Sequence, residues 1–155
     1  KSLDTILLRW INDIDYIDKN IKIVVKAHPI LPINKILPKN NLSNNFIISQ
    51  EKLSNLLKET FIAICSGPTS ATIESLVYNC FLIVPVIDAL DEISLKKLNI
   101  PSKKYCLVYD KDDLFNNIRR LINNKSAQKE GRKNISKLRN TLFEKVNEKN
   151  LKFFY

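Results

Sequence analysis

Apolar residues Leu3, Ile6, Leu7, Trp10, Ile14 and Ile17 recur every three or four positions, with Asp4, Asp13 and Asp15 between them. That spacing predicts an amphipathic helix from Leu3 to Ile17 with one buried stripe. Lys22 to Ala27 is a short β-branched run stopped by His28-Pro29, and it predicts a buried strand, because proline disfavours continuation of the ladder. Ile30 to Asn45 holds Pro32, Pro38 and six Asn or Ser residues, a loop composition. Phe46 to Ser49 is a weaker strand, and a short helix follows from Glu51 to Lys58. Phe61 to Cys65 is a further buried strand, broken by Ser66-Gly67-Pro68. Thr69 to Tyr78 then predicts a helix with Ile73, Leu76 and Val77 on its inner face. Phe81 to Ile87 is a strong strand in which Pro85 marks an end or a bulge, and Tyr105 to Tyr109 is a shorter fifth strand. Asp112 to Asn123 and Ser126 to Asn147 carry helical patterns, the second with Gly131 as an interruption or bend.

Strands alternating with helices at this spacing predict an α/β fold: a doubly wound, Rossmann-like parallel sheet of about five strands covered on both faces. The strand runs are almost continuously apolar, as strands buried on both faces should be. Residues 1–155 are expected to form one domain, with 126–155 a basic C-terminal helical segment.

Composition sharpens this picture. The chain has 155 residues, 45% of them hydrophobic and 26% charged, enough for a real core without metal or disulfide support. It begins at Lys1 and contains no methionine, so a piece of a longer protein is expected. Its only glycines are Gly67 and Gly131, which excludes glycine-rich dinucleotide and Walker-type phosphate loops.

The net charge of +9 is unevenly placed. Residues 1–110 carry 13 Lys/Arg against 11 Asp/Glu, whereas residues 111–155 carry 12 against 5. Lys, Asn and Ile together supply 59 residues, a bias that an AT-rich coding sequence would also produce, so a solvated lysine-rich helix accounts for most of the excess. Cys65, Cys80 and Cys106 are odd in number, far apart and set in apolar runs. They are expected to be reduced core thiols of a cytosolic protein, with neither a disulfide frame nor a zinc site. The longest near-apolar run, Cys80 to Ile87, is too short to span a bilayer, and no secretory signal opens the chain.

In open α/β sheets ligands bind beyond the carboxyl ends of the strands. Two strand ends here carry suitable residues. His28, the only histidine, directly follows a strand, and Pro29 fixes the exit of the backbone; a histidine so placed donates a proton or hydrogen bond to a phosphate at neutral pH. At the second end, Gly67 permits a tight turn and Pro68 suits the first helical position. The N–H groups of Thr69, Ser70 and Ala71 would then point out of a helix N-terminus, which attracts anions. Ser66, Thr69, Ser70 and Thr72 add hydroxyls, and Glu74 lies one turn past Ser70, placed to accept hydrogen bonds from ribose hydroxyls. Each end also has an ordinary structural explanation, a satisfied strand-end histidine or a capped turn; their occurrence on neighbouring βα units favours the functional one. Asp88, after the third strong strand, is a further candidate for the cleft rim, with a turn residue the favoured reading. No metal site and no cofactor are expected.

These residues carry a resemblance. His28-Pro29 after a strand, then Ser-Gly-Pro-Thr-Ser-Ala-Thr-Ile-Glu from Ser66 to Glu74, then Phe81-Leu-Ile-Val-Pro-Val, resembles the C-terminal donor-binding domain of GT-B glycosyltransferases. The similar group is the bacterial capsule and surface-polysaccharide enzymes with an HP motif, such as sialyltransferases and Kdo transferases. The likeness is specific from about Ile23 to Ile87 and general beyond it. It implies a nucleotide-sugar donor activated by CMP, CDP or UDP. His28 would act catalytically and contact the donor phosphate; Ser66, Gly67, Thr69 and Ser70 would hold that phosphate; Glu74 would bind ribose. The N-terminal half of such an enzyme, with the acceptor site and usually the catalytic base, has no counterpart here. This chain alone is therefore expected to bind donor without completing transfer to a glycan or lipid-linked acceptor.

Two other readings, one enzymatic and one not, stand beside it. A sugar-nucleotide 2-epimerase shares the architecture, the strand-end Ser/Gly turn and the helix glutamate. A basic binding module would use Arg119, Arg120, Lys125, Lys129, Arg132, Lys133, Lys137 and Arg139, but these are not interleaved with stacking aromatics, so nucleic acid is disfavoured as a partner. The same residues suit peripheral contact with an anionic membrane, at the inner face of the plasma membrane of a cytoplasmic enzyme, where each basic residue near the lipid contributes ~1 kcal/mol.

Overall fold

In the computed structural model the described residues are 3–26, 45–67, 69–86 and 105–124. His28, Pro68, Asp88 and the whole predicted segment 126–155 lie outside them. Helix α1 (Leu3–Asn12) tightens into a 3-10 turn at Asp13–Tyr16 instead of running on to Ile17. Asp13, the first residue of that turn, puts a carboxylate at the negative end of the helix dipole, which disfavours another α turn there. The buried stripe is Leu7, Leu8, Ile11 and Ile14, with Trp10 and Ile17 half-buried beside it, so Leu8 and Ile11 join the residues that the spacing identified.

All five predicted strands form, and all pair in parallel. They make two ladders among the described residues: β1 (Ile23–Lys26) with β2 (Phe46–Ser49), and β3 (Ile62–Ile64), β4 (Phe81–Pro85) and β5 (Tyr105–Val108) in that order. Ile23 is opposite Phe46 in the first ladder, Ile62 opposite Phe81 and Leu82 opposite Tyr105 in the second. Three helices complete the described elements: α2 (Leu53–Glu59), α3 (Ser70–Val77) and α4 (Lys111–Asn123).

The three-stranded ladder is covered on both faces, which is what alternation of apolar side chains along β4 requires. On one face Leu82 and Val84 pack with Leu76 of α3 and the half-buried Cys65, Tyr105 and Leu107. On the other, Ile83 and Val108 join the α1 stripe and Leu114, Phe115, Ile118 and Leu121 of α4. Ile23 and Phe46 enter that same core, so the two ladders share it. The β1–β2 ladder departs from the doubly buried expectation: the paired residues Val24 and Ile47 are exposed on its far face.

Two element ends, those of the β3–β4 ladder and of α3, are each set by a single residue. Pro85 is the last residue of β4 and is buried. By the register Ile64↔Ile83, and with Cys65 N–H bonded to the Ile83 carbonyl, the next donor owed to β3 would be Pro85 N–H, which proline lacks. The β3–β4 ladder stops there, while the β4–β5 ladder continues through Val86 N–H to the Val108 carbonyl at 2.9 Å. Helix α3 ends on Asn79, whose φ of 64° is the left-handed conformation. Asn79 N–H bonds to the Leu76 carbonyl and Cys80 N–H to the Ser75 carbonyl, both at 2.9 Å, the Schellman pattern that returns the chain to β4. Among the described residues no helix is long and apolar enough to cross a membrane.

Candidate functional site

The turn from β3 into α3 holds Ser66, Gly67, Thr69 and Ser70, four of the six residues singled out for ligand contact. Because every strand is parallel, this turn stands on the carboxyl edge of the three-stranded ladder, where an open α/β sheet places its ligands. Gly67 is buried and has φ 78°, a conformation in which a Cβ would clash. Thr69 is the extended residue that caps α3, with φ −103° and ψ 171°. Thr69 and Ser70 are exposed, and Ser66 is half-buried.

The hydrogen bonds revise which donors face outward. Thr69 N–H is directed inward, to the Gly67 carbonyl at 3.0 Å and to Thr72 Oγ1 at 3.3 Å. Of the three N–H groups expected to be available, Ser70 and Ala71 N–H have no partner among the described residues, and Thr69 N–H does. Thr72 and Ile73 N–H both turn back to the Thr69 carbonyl, at 3.0 and 3.3 Å. The Thr69 hydroxyl is also held within the turn, as the cap of α3 and by a bond to Thr72 Oγ1 at 3.4 Å, so two backbone donors and the hydroxyl of the exposed Ser70 remain at the mouth of the helix.

Thr72 is likewise corrected. Its hydroxyl is fully buried and donates to the Gly67 carbonyl at 2.7 Å, so it shapes the turn and offers nothing to a ligand. Ser75 is buried beside it and donates to the Ala71 carbonyl at 2.7 Å. The inner face of α3 is thus Thr72, Ser75 and Leu76, with Ile73 and Val77 half-buried. Sequence reasoning assigned that face to the apolar residues alone. The available signal was the spacing of Thr72 with Ser75 and Leu76 at three and four positions. Small hydroxyl side chains let the helix approach the sheet closely while local carbonyls satisfy them.

Glu74 is half-buried on α3, and its carboxylate has no hydrogen-bond or ion-pair partner among the described residues. The first turn of α3 contains no acidic residue, whereas the first turn of α4 contains Asp112 and Asp113 behind the cap Asp110. An anion therefore meets unopposed helix-dipole charge at α3 and carboxylates at α4. His28 falls outside the described residues.

All three cysteines are free, and of the thiols expected in the core only Cys80 is buried. Cys80 is fully buried and donates to the Thr60 carbonyl at 3.3 Å; burial pushes its pKa up to about 12. Burial also raises Cys106 to about 11 and raises Cys65, against a lowering contribution from the Ser75 hydroxyl 3.8 Å away. Cys65 and Cys106 are only half-buried. Among the described residues no group of His, Cys, Asp and Glu could hold a metal.

A cleft of about 180 Å³ lined by Ile17, Asp18, Arg119, Ile122 and Asn123 lies at the other end of α4 and includes none of the predicted site residues. Neither a protein-family model nor a curated protein matches this chain.

Proposed function

We propose that this chain is the nucleotide-sugar-binding domain of a glycosyltransferase that builds bacterial surface polysaccharide, with the β3–α3 turn as its donor-phosphate site. The observation that carries the reading is the N-terminus of α3. It opens on the carboxyl edge of a parallel ladder with Ser70 and Ala71 N–H unpartnered among the described residues, Thr69 and Ser70 exposed and no acid in its first turn. Such a terminus suits a di-anionic phosphate without a glycine-rich loop. In this reading both ladders belong to one doubly wound, Rossmann-like sheet, the donor half of a GT-B architecture.

Loss of the donor's nucleotide leaves negative charge growing on phosphate oxygens. Fixed N–H dipoles and His28 would stabilise that charge, and removal of one comparable donor elsewhere costs ~3 kcal/mol of transition-state stabilisation. Ser66 and Gly67 would shape the phosphate cradle, and Glu74 would take the ribose hydroxyls. The glycan or lipid-linked acceptor would meet a second domain. The basic residues beyond Lys111 would keep the enzyme at an anionic cytoplasmic membrane surface.

The test is thermal stabilisation by CMP, CDP and UDP. Millimolar nucleotide should raise the melting temperature, and Ser70→Ala or His28→Ala should reduce the rise. Absence of a shift with all three nucleotides overturns the donor-site assignment.

A further inference from the structure

The carboxyl edge carries a second feature that the phosphate site does not use. Tyr109 directly follows β5 and is 56% exposed, the most exposed of the large hydrophobic side chains described. Its backbone is anchored from both sides. Tyr109 N–H donates to Asp113 Oδ2 at 3.3 Å, and Asp110, the next residue, accepts the Asp113 N–H at 2.8 Å as the cap of α4. From this constrained backbone Tyr109 presents a flat, amphipathic aromatic ring to solvent.

Its surroundings set what it can receive. β5 is separated from β3 by β4 alone, so the two strand ends lie about 10 Å apart on one edge. The α3 end is free of acids in its first turn, whereas the Tyr109 end is followed by Asp110, Asp112 and Asp113. A phosphate is favoured at the first and repelled at the second. A ligand anionic at one end and uncharged and aromatic at the other, of about nucleotide length, matches that polarity.

Resting on the proposed donor-phosphate site, we infer that Tyr109 is the stacking platform for the base of the bound nucleotide. Base–aromatic stacking tolerates different bases because each presents a π face. Tyr109 therefore contributes affinity for the nucleoside part and little discrimination between cytosine and uracil.

The experiment is a titration of the chain with CMP, UMP and ribose 5-phosphate, in the wild type, Tyr109→Ala and Tyr109→Phe. Tyr109→Ala should weaken CMP and UMP about tenfold. It should leave ribose 5-phosphate unchanged, and Tyr109→Phe should bind all three as the wild type does. Unchanged CMP and UMP binding in Tyr109→Ala overturns the inference while leaving the phosphate site standing. Equal weakening of all three ligands also overturns it, since a disturbed turn and not lost stacking would be the cause. A wild type that binds none of the three removes the phosphate site and this inference together.

Discussion

The fully buried hydroxyl of Thr72 donates to the carbonyl oxygen of Gly67 at 2.7 Å, and so ties the first turn of α3 to the end of β3. The same oxygen Oγ1 receives Thr69 N–H at 3.3 Å, which makes one side chain responsible for both polarities of the turn. Thr72→Val keeps the shape and removes both bonds. It should cost about 1–2 kcal/mol, read by denaturant unfolding, because buried polar groups lose partners without gaining water. Thr72→Ser should recover most of that loss. Gly67→Ala should cost about 1 kcal/mol or more by a separate route, since φ 78° crowds a Cβ.

Cys80 predicts an alkaline limit to stability. Its thiol ionises near 9.0 in an unfolded chain and at about 12 in the fold, because burial penalises the thiolate. Below pH 9 both states hold the proton and the group contributes no pH dependence. Between pH 9 and about 12 the unfolded state releases it while the folded state retains it, so stability falls as pH rises. Cys80→Ala should lower stability at pH 7 but flatten that fall, and the difference between the two pH profiles isolates Cys80 from titrating lysines. A thiol reagent at neutral pH should modify Cys80 only on the timescale of unfolding.

The strand pattern was legible because burial on both faces leaves β4 no position for a polar residue. Phe81–Pro85 announces itself, and Pro85 does mark the strand's end. Which ladder a strand joins is not carried by such runs: β1 and β2 bury one face and leave Val24 and Ile47 exposed on the other, yet their sequences are almost as apolar as β3. The turn residues Gly67, Thr69 and Ser70 were legible from local chemistry alone. The inward direction of Thr69 N–H and the burial of Thr72 and Ser75 were not, because a hydroxyl's fate depends on which carbonyl lies opposite. The end of α3 was legible, since the predicted helix stops at Tyr78 where the structure places its C-cap, but the left-handed conformation of Asn79 was not.

Asp13 and Lys111, 98 positions apart, form an ion pair that joins the 3-10 turn to the first residue of α4, and the Lys111 ammonium also lies 5.3 Å from the Phe115 ring centre. Both side chains are more than a third exposed, so water and salt screen the attraction. Asp13→Asn should lower stability by less than about 1 kcal/mol, and the loss should shrink in about 1 M salt. Lys111→Ala should cost somewhat more, because the contact with Phe115 goes too. A double-mutant cycle separates the two contributions.

Glu74 offers the sharpest check on the orientation of a bound nucleotide. It stands one turn beyond Ser70 on α3, with a carboxylate that has no partner among the described residues and so is free to accept hydrogen bonds from outside the fold. If it receives the ribose hydroxyls, a ligand lacking the 2′-hydroxyl loses a bond to a charged acceptor, worth about 1.5–3 kcal/mol. The wild type should therefore prefer CMP over deoxy-CMP by roughly tenfold or more, and Glu74→Ala should bring the two affinities together while leaving inorganic phosphate binding intact. Isothermal titration of both nucleotides against both proteins measures this directly. A preference that survives in Glu74→Ala would place the ribose away from α3 and reverse the direction in which the donor lies along the sheet edge.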